Sequence, residues 1–458
     1  MNIFPVHISS LISHVATATL HLREKICPRK SDANLKQVII FILLKERIIM
    51  KTIIVNIVFA ALMFSAAGCS GQEPFPDDIG VVDPSKYEYT EPWKAGYMDI
   101  HQISTGRGNA AFLILPDGTT MLVDMGDLGV NTYTQEIMSA VPSASKRPAE
   151  WVAQYIRHFA SPLGKDGKID YALITHFHID HIGAFDKLAI TSEKHQYKLQ
   201  GITHLADMLE IDKVIDRGWP DYSYPSSSQV NSSNSGIVNY IQFMKDRDAE
   251  GKTNQQMIVG SNQQFVLLND RSYEFSVRNL AGNLKYWTGT GNSVADYNMS
   301  TNDENEYSLA IRISYGKFDW YTGGDIKAEG YEDAISEVAG QTDVVVCNHH
   351  AYSDAMHSGF VRNMDASAWI IPVWDYYHPQ PDPLARMLTS TDGSEKLVFG
   401  AGLVESNKYR LGDNGKKIKA GHIMVRVYEG GGSFQIFVLN DKDEYYEIID
   451  KTDVIKSR

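Results

Sequence analysis

Four residues in one six-residue window, His176, His178, Asp180 and His181, bring together side chains whose types suit one kind of chemistry. They follow a short apolar run, Tyr171 to Ile174, which reads as a buried strand. Three imidazoles and a carboxylate this close together gain nothing from one another unless a cation sits among them. Side chains two apart in extended chain point the same way, so His176 and His178 are placed to grip one ion. Asp180 and His181 lie past the turn and face a second position beside it. Nitrogen and carboxylate oxygen without thiolate is the donor set of catalytic zinc, which keeps a coordination position open for water. The competing reading is a polar loop that happens to be rich in histidine.

The pattern HxHxDH after a buried strand is the signature of the metallo-β-lactamase superfamily, and this sequence resembles a member. The resemblance implies an α/β fold, a four-layer αββα sandwich in a single domain, with the metals at one edge of two sheets. It implies that Asp124, at the end of an earlier strand, lies beneath the metal site. It implies that Asp325, in a Gly-Asp after a strand, is shared by both ions. A later histidine completes the second ion; His349 and His350 are adjacent, and the sequence does not choose between them. Two zinc ions per chain are expected, with manganese or iron as substitutes.

Many members place a third histidine for the first ion between these segments. Here only His195 and His204 lie between, and neither ends a predicted strand. The Asn305 to Ser308 stretch, the adjacent histidines and His378-Pro379 instead resemble the hydrolase domain of the DNA-uptake protein ComEC. The phosphorylcholine esterase-like branch is similarly close. Ala351 stands where that group usually has Gly.

The elements that position these groups are legible in outline. Residues Ala110 to Leu115 and Thr120 to Val123 flank the turn Pro116 to Thr119 and predict a hairpin ending at Asp124. Apolar residues at helical spacing predict a helix over Arg147 to Phe159. Strands are expected at Ile211 to Ile215, Gln264 to Leu268 and Tyr273 to Asn279, with a helix at Ile237 to Ala249. Ser226 to Gly236 reads as a surface loop. Four later units, Tyr307 to Ser314, Phe318 to Tyr321, Val344 to Cys347 and Trp369 to Val373, read as strands, and three of them lead to Asp325, His349-His350 and His378. Gly421 to Val427 and Ser433 to Val438 read as a closing hairpin. Cys347 reads as buried packing, and His158 as surface or packing. Arg217 and Trp219 are candidate substrate contacts, with a salt bridge and core packing as the plainer roles; Trp374 is a candidate pocket wall. His378 is a candidate proton donor or substrate contact.

The 458 residues include 43% hydrophobic and 22% charged, a soluble globular composition. Net charge is −13. Residues 1–69 are basic, so the remainder holds 35 Lys and Arg against 53 Asp and Glu. A body this acidic is not expected to hold nucleic acid non-specifically. From Met50-Lys51 a mostly apolar run ends at Ala66-Ala67-Gly68-Cys69, a secretory signal with a lipobox-like exit. The expected organisation is an upstream extension at 1–49, a lipoprotein signal peptide at 50–69 with lipidation at Cys69, and a tether at 70–96. A hydrolase domain at 97–449 and a tail at 450–458 follow. Export to the periplasm or outer membrane with a lipid anchor is the implied location.

The expected activity follows from the ions. A divalent ion lowers the pKa of its water from about 16 to about 7, so a metal-bound hydroxide is available at neutral pH. The resemblance points to phosphodiester bonds, in a small-molecule or envelope-derived substrate, with Asp180 and His378 as the catalytic candidates. A lactam or lactone hydrolase would use the same chemistry on a carbonyl. A non-catalytic binding protein on a degenerate hydrolase scaffold is the reading from another class.

Overall fold

The computed structural model describes residues 87–458 except 130–136, 187–188, 224, 228–234, 390–392 and 394–395. Residues 1–49, the expected signal peptide with Cys69, and most of the expected tether lie outside the described residues, as does most of the Ser/Asn-rich loop.

Strands β1 (Met98–Gln102), β2 (Ala111–Ile114), β3 (Thr120–Val123), β4 (Ile169–Leu173), β5 (Ile211–Asp216) and β6 (Thr253–Gln256) form most of one sheet. A second sheet holds β7 (Phe275–Gly282), β8 (Lys285–Trp287), β9 (Val294–Asp296), β10 (Ala310–Tyr315), β11 (Phe318–Thr322), β12 (Val344–Val346), β13 (Ala368–Pro372) and β14 (Leu397–Ala401). The long strand β15 (Lys419–Val427) joins them: its start runs parallel to β14 and the rest pairs antiparallel with β1. Strands β16 (Ser433–Leu439), β17 (Ile448–Lys451) and β18 (Ile455–Lys456) complete the first sheet. Residues 450–458 therefore continue the sheet instead of trailing as a tail. Residues 88–96 also lie on it, with the Ile448 amide donating to the Glu88 carbonyl and the Gly96 amide to that of Pro116.

Alternation along each strand builds the layers. Leu113, Val123, Leu173, Ile311, Trp320, Val344 and Ile370 face the core between the sheets. Phe112, Leu122, Ala172 and Val214 face helices on the outer side of the first sheet. These are α1 (Pro148–Ala160), α3 (Ile202–Met208) and α4 (Ser235–Ala249); the short α2 (Ile179–Ile182) belongs to the site. Val345, Cys347, Trp369 and Ile371 face α5 (Glu329–Ala339), α6 (Ser358–Met364) and α7 (Pro381–Leu388) on the other side. The fold is a four-layer αββα sandwich. Both faces of β12 and β13 are covered, which is why Val344 to Cys347 reads as one apolar run. Full burial of each such side chain contributes about 1.5–3 kcal/mol.

One expected strand is absent. Residues 264–268 bury Phe265 and Leu267 between the sheets but form no ladder. Side chains take the backbone groups instead: the Val266 amide donates to Tyr171 Oη and the Leu268 amide to Thr119 Oγ1.

A buried histidine outside the site makes stability depend on pH. His422 Nδ1 accepts from the Ser104 amide at 3.1 Å beneath the rings of Tyr155 and Tyr446, which requires a neutral imidazole. Burial pushes its pKa down to about 4. The unfolded imidazole takes its proton near pH 6.5, so stability is full above that pH and falls as pH drops from about 6.5 to 4. The loss is on the order of 3 kcal/mol. Urea midpoints across that window should fall, and His422→Leu should flatten part of the slope.

Candidate metal centre

Parallel strands β3, β4, β11 and β12 deliver their carboxyl ends to one edge of the sandwich, the side on which ligands bind in parallel sheets. After β4 the chain runs extended to His178 and turns into α2. The loops before β2 and after β3 lie along this turn: the Met125 amide donates to the His181 carbonyl at 3.0 Å, and the Asn109 amide to that of Asp180 at 2.8 Å. A Cβ on Gly126 would stand 1.8 Å from the Asp180 carbonyl oxygen, so only glycine permits this approach. After β11, the Asp325 amide donates to Ser308 Oγ at 3.1 Å.

The turn after β12 decides between the adjacent histidines. His349, His350 and Ala351 have φ of 43°, 54° and 55°, the left-handed region that costs a non-glycine residue about 1–2 kcal/mol. Asn348 holds the turn by accepting from Tyr321 Oη and donating to the buried Glu332 carboxylate at 2.9 Å. This twist sends the two imidazoles apart. His350 turns into the centre, its Nε2 3.2 Å from Asp325 Oδ1. His349 turns away, pairing Nδ1 with Asp354 Oδ1 at 2.8 Å.

Two groups of ligand atoms result, each within 4.8 Å of one another: Asp180, His181, Asp325 and His350, and beside them His176, His178 and Asp325. Asp325 belongs to both. Its Oδ1 lies 3.2 Å from His181 Nε2 and its Oδ2 3.6 Å from His176 Nε2. Asp124 sits beneath, with Oδ2 accepting from His181 Nδ1 at 2.7 Å and Oδ1 from the Thr175 amide at 2.7 Å. Thr175 Oγ1 and Asn109 Nδ2 complete its partners. That contact fixes which His181 nitrogen faces the centre.

The electrostatics call for positive charge here. Burial opposes ionising Asp325 and Asp180, yet the surrounding imidazoles hold both below the usual carboxylate range. Burial likewise opposes charging His181, yet Asp325 and Asp124 raise it well above its ordinary value. For His176 burial prevails and pushes it well down. His181 Nε2, His350 Nε2 and Asp325 Oδ1 are buried, each nitrogen 3.2 Å from that oxygen, yet none makes a hydrogen bond of acceptable angle among the described residues. Orphaned atoms of this kind, converging on one point, fit divalent ions that replace the protons. No thiolate takes part: Cys347 is buried with its Sγ 3.3 Å from Met387 Sδ, and burial pushes its thiol up.

Residues 104–218 match the metallo-beta-lactamase superfamily. That match covers about a quarter of the chain. No curated protein matches. Solved structures that it resembles include CmlA, a diiron beta-hydroxylase from Streptomyces venezuelae, at 13% identity and TM-score 0.34, over 74% of this chain and 55% of that one. A protein from Parabacteroides distasonis described as a metal-dependent hydrolase matches at 11% identity and TM-score 0.33, over 68% and 98%. The short form of human tRNase Z matches at 10% identity and TM-score 0.28, over 59% and 91%. The chain thus spans about half the length of the hydroxylase.

The remaining candidates divide. His378 lies with its ring 4.7 Å from that of His350, and Trp374 stands 4.2 Å from the same ring. Both therefore line the edge where His350 meets the Asp325 cluster. Arg217 does not: it is buried, paired with Glu304 at 2.6 Å and stacked over Phe177, so it is not free to meet substrate. Trp219 packs against the helix-side core. His195 faces Asp246 of α4 and Glu250 just past its end, and His204 sits on α3; neither joins the cluster. The residues that sequence reasoning missed are the supports Asn109, Thr175, Glu304, Asn348 and Asp354. They carry no motif, because all but Asp354 work through a contact distant in sequence.

Proposed function

We propose that the chain is an exported, lipid-anchored hydrolase that holds two divalent ions, zinc foremost, and cleaves phosphodiester bonds. The observation that carries this reading is the convergence of His176, His178, Asp180, His181 and His350 on Asp325, with buried ligand atoms left without a well-aligned hydrogen bond. When bound, such ions supply Lewis acidity and a water acidic enough to react near neutral pH. The chain's own residues do the placing. Asp124 orients His181, Ser308 fixes Asp325 through its amide, and Asn348 twists His350 inward. His378, whose buried Nδ1 lacks a partner among the described residues, is assigned to hydrogen-bond the substrate. Trp374 closes the wall behind it.

The bond type rests on the resemblance of Asn305 to Ser308, His349-His350 and His378-Pro379, and the anchor on Cys69 behind its apolar run. Among the described residues no helix is long and apolar enough to cross a membrane. One experiment covers both points: a phosphodiester, lactam and lactone panel run on zinc-loaded protein taken from membrane and soluble fractions. Phosphodiester cleavage in the membrane fraction is expected. Cleavage of lactams or lactones alone would overturn the bond type, and activity confined to the soluble fraction would overturn the anchor.

A further inference from the structure

The His176 and His178 group has a gap. Apart from the shared Asp325 it offers two nitrogens, and among the described residues no third histidine joins it. A cation held there needs another donor, and one polar atom nearby is buried without a partner.

That atom is Asn305 Oδ1. The residue is 5% exposed and sits in the turn Glu304–Tyr307. This turn is stitched to the ligand-bearing segments on both sides. Glu304 Oε1 accepts from the Phe177 amide, between His176 and His178, at 2.9 Å. The Leu309 amide donates to the Thr175 carbonyl at 2.9 Å, and Ser308 Oγ accepts from the Asp325 amide. Asn305 is therefore flanked by 175–177, by 325 and by 349.

The orientation of the amide follows from its neighbours. His349 Nδ1 is engaged by Asp354 Oδ1 at 2.8 Å, which leaves its Nε2 to face Asn305. The arm of the Asn305 amide that faces this Nε2 is Nδ2, 3.3 Å away. The Oδ1 must then point the other way. Lys327 braces both ends of this chain, 3.1 Å from Asp354 and 2.9 Å from Asp303, which in turn accepts from the Asn305 amide.

We propose that Asn305 Oδ1 is the third protein donor, after His176 and His178, for the first cation, in the place where a histidine is missing. The proposal rests on the two-cation reading of the centre but not on its catalysing any reaction. A neutral carbonyl oxygen is a weaker donor than imidazole to a borderline ion such as zinc, so this position should be the looser of the two.

The test is calorimetric titration of zinc into metal-free full chain. Two binding events are expected for the parent. In Asn305→Ala the weaker should lose about 10- to 100-fold in affinity while the tighter is unchanged. Asn305→Asp, which keeps the oxygen, should restore two events, and it tests the assignment if the alanine variant fails to fold. Two events at parental affinity in folded Asn305→Ala would overturn the proposal, as would a single event in the parent that Asn305→Ala leaves intact. A protein that binds two zinc ions through Asn305 yet cleaves no phosphodiester would defeat the proposed function and leave this inference standing.

Discussion

Asp325→Ala should abolish hydrolysis, lowering kcat/KM by roughly 10³-fold or more, the scale of removing a whole catalytic group. Asp325 is the one side chain present in both ligand groups, and it lies between His176, His181 and His350. Without it each group loses an anionic donor at once. The retained imidazoles would also lose the charge that raises His181 and His350 toward their cationic forms. Steady-state kinetics on the substrate identified by the panel is the check. A variant within tenfold of the parent would mean that Asp325 does not hold the reacting centre.

The largest effect on stability is expected at Arg217 and Glu304. Both are buried, and Glu304 is shared: Oε2 pairs with Arg217 Nη2 at 2.6 Å, while Oε1 accepts from the Phe177 amide. Removing one partner leaves the other charge buried and uncompensated, which costs about 3–5 kcal/mol. Arg217→Ala and Glu304→Gln should each lose that much in urea unfolding. The double replacement Arg217→Met with Glu304→Leu removes both charges and orphans chiefly the Phe177 amide, costing about 1–3 kcal/mol. The double variant should therefore be more stable than either single. Single-variant losses below about 1 kcal/mol would contradict a buried pair of this kind.

How far these features were legible depended on how far apart the cooperating residues lie in sequence. HxHxDH is local: a strand exit and one turn bring four groups together, and residue types alone reveal it. Asp325 was legible because a Gly-Asp ends a clearly alternating hairpin. The choice between His349 and His350 was not, since neighbours of identical type are separated only by the left-handed twist after β12. Arg217 stayed a candidate substrate contact beside its plainer salt-bridge role because its partner Glu304 lies 87 residues away. The sandwich itself was expected from the resemblance, and alternation placed most of its strands. Residues 264–268 misled because their apolar pattern buries them as a strand would, while Thr119 and Tyr171 take their amides. The short edge strands β8, β9, β17 and β18 carry too little apolar pattern to be seen.

Two divalent ions are proposed for the carboxyl edge of these sheets, where Asp325 belongs to both groups of ligand atoms. Metal analysis of the purified full chain after zinc reconstitution tests this most directly. Two equivalents per chain are predicted for the parent, with a lower count in Asp325→Ala. Fewer than one equivalent in the parent would contradict it.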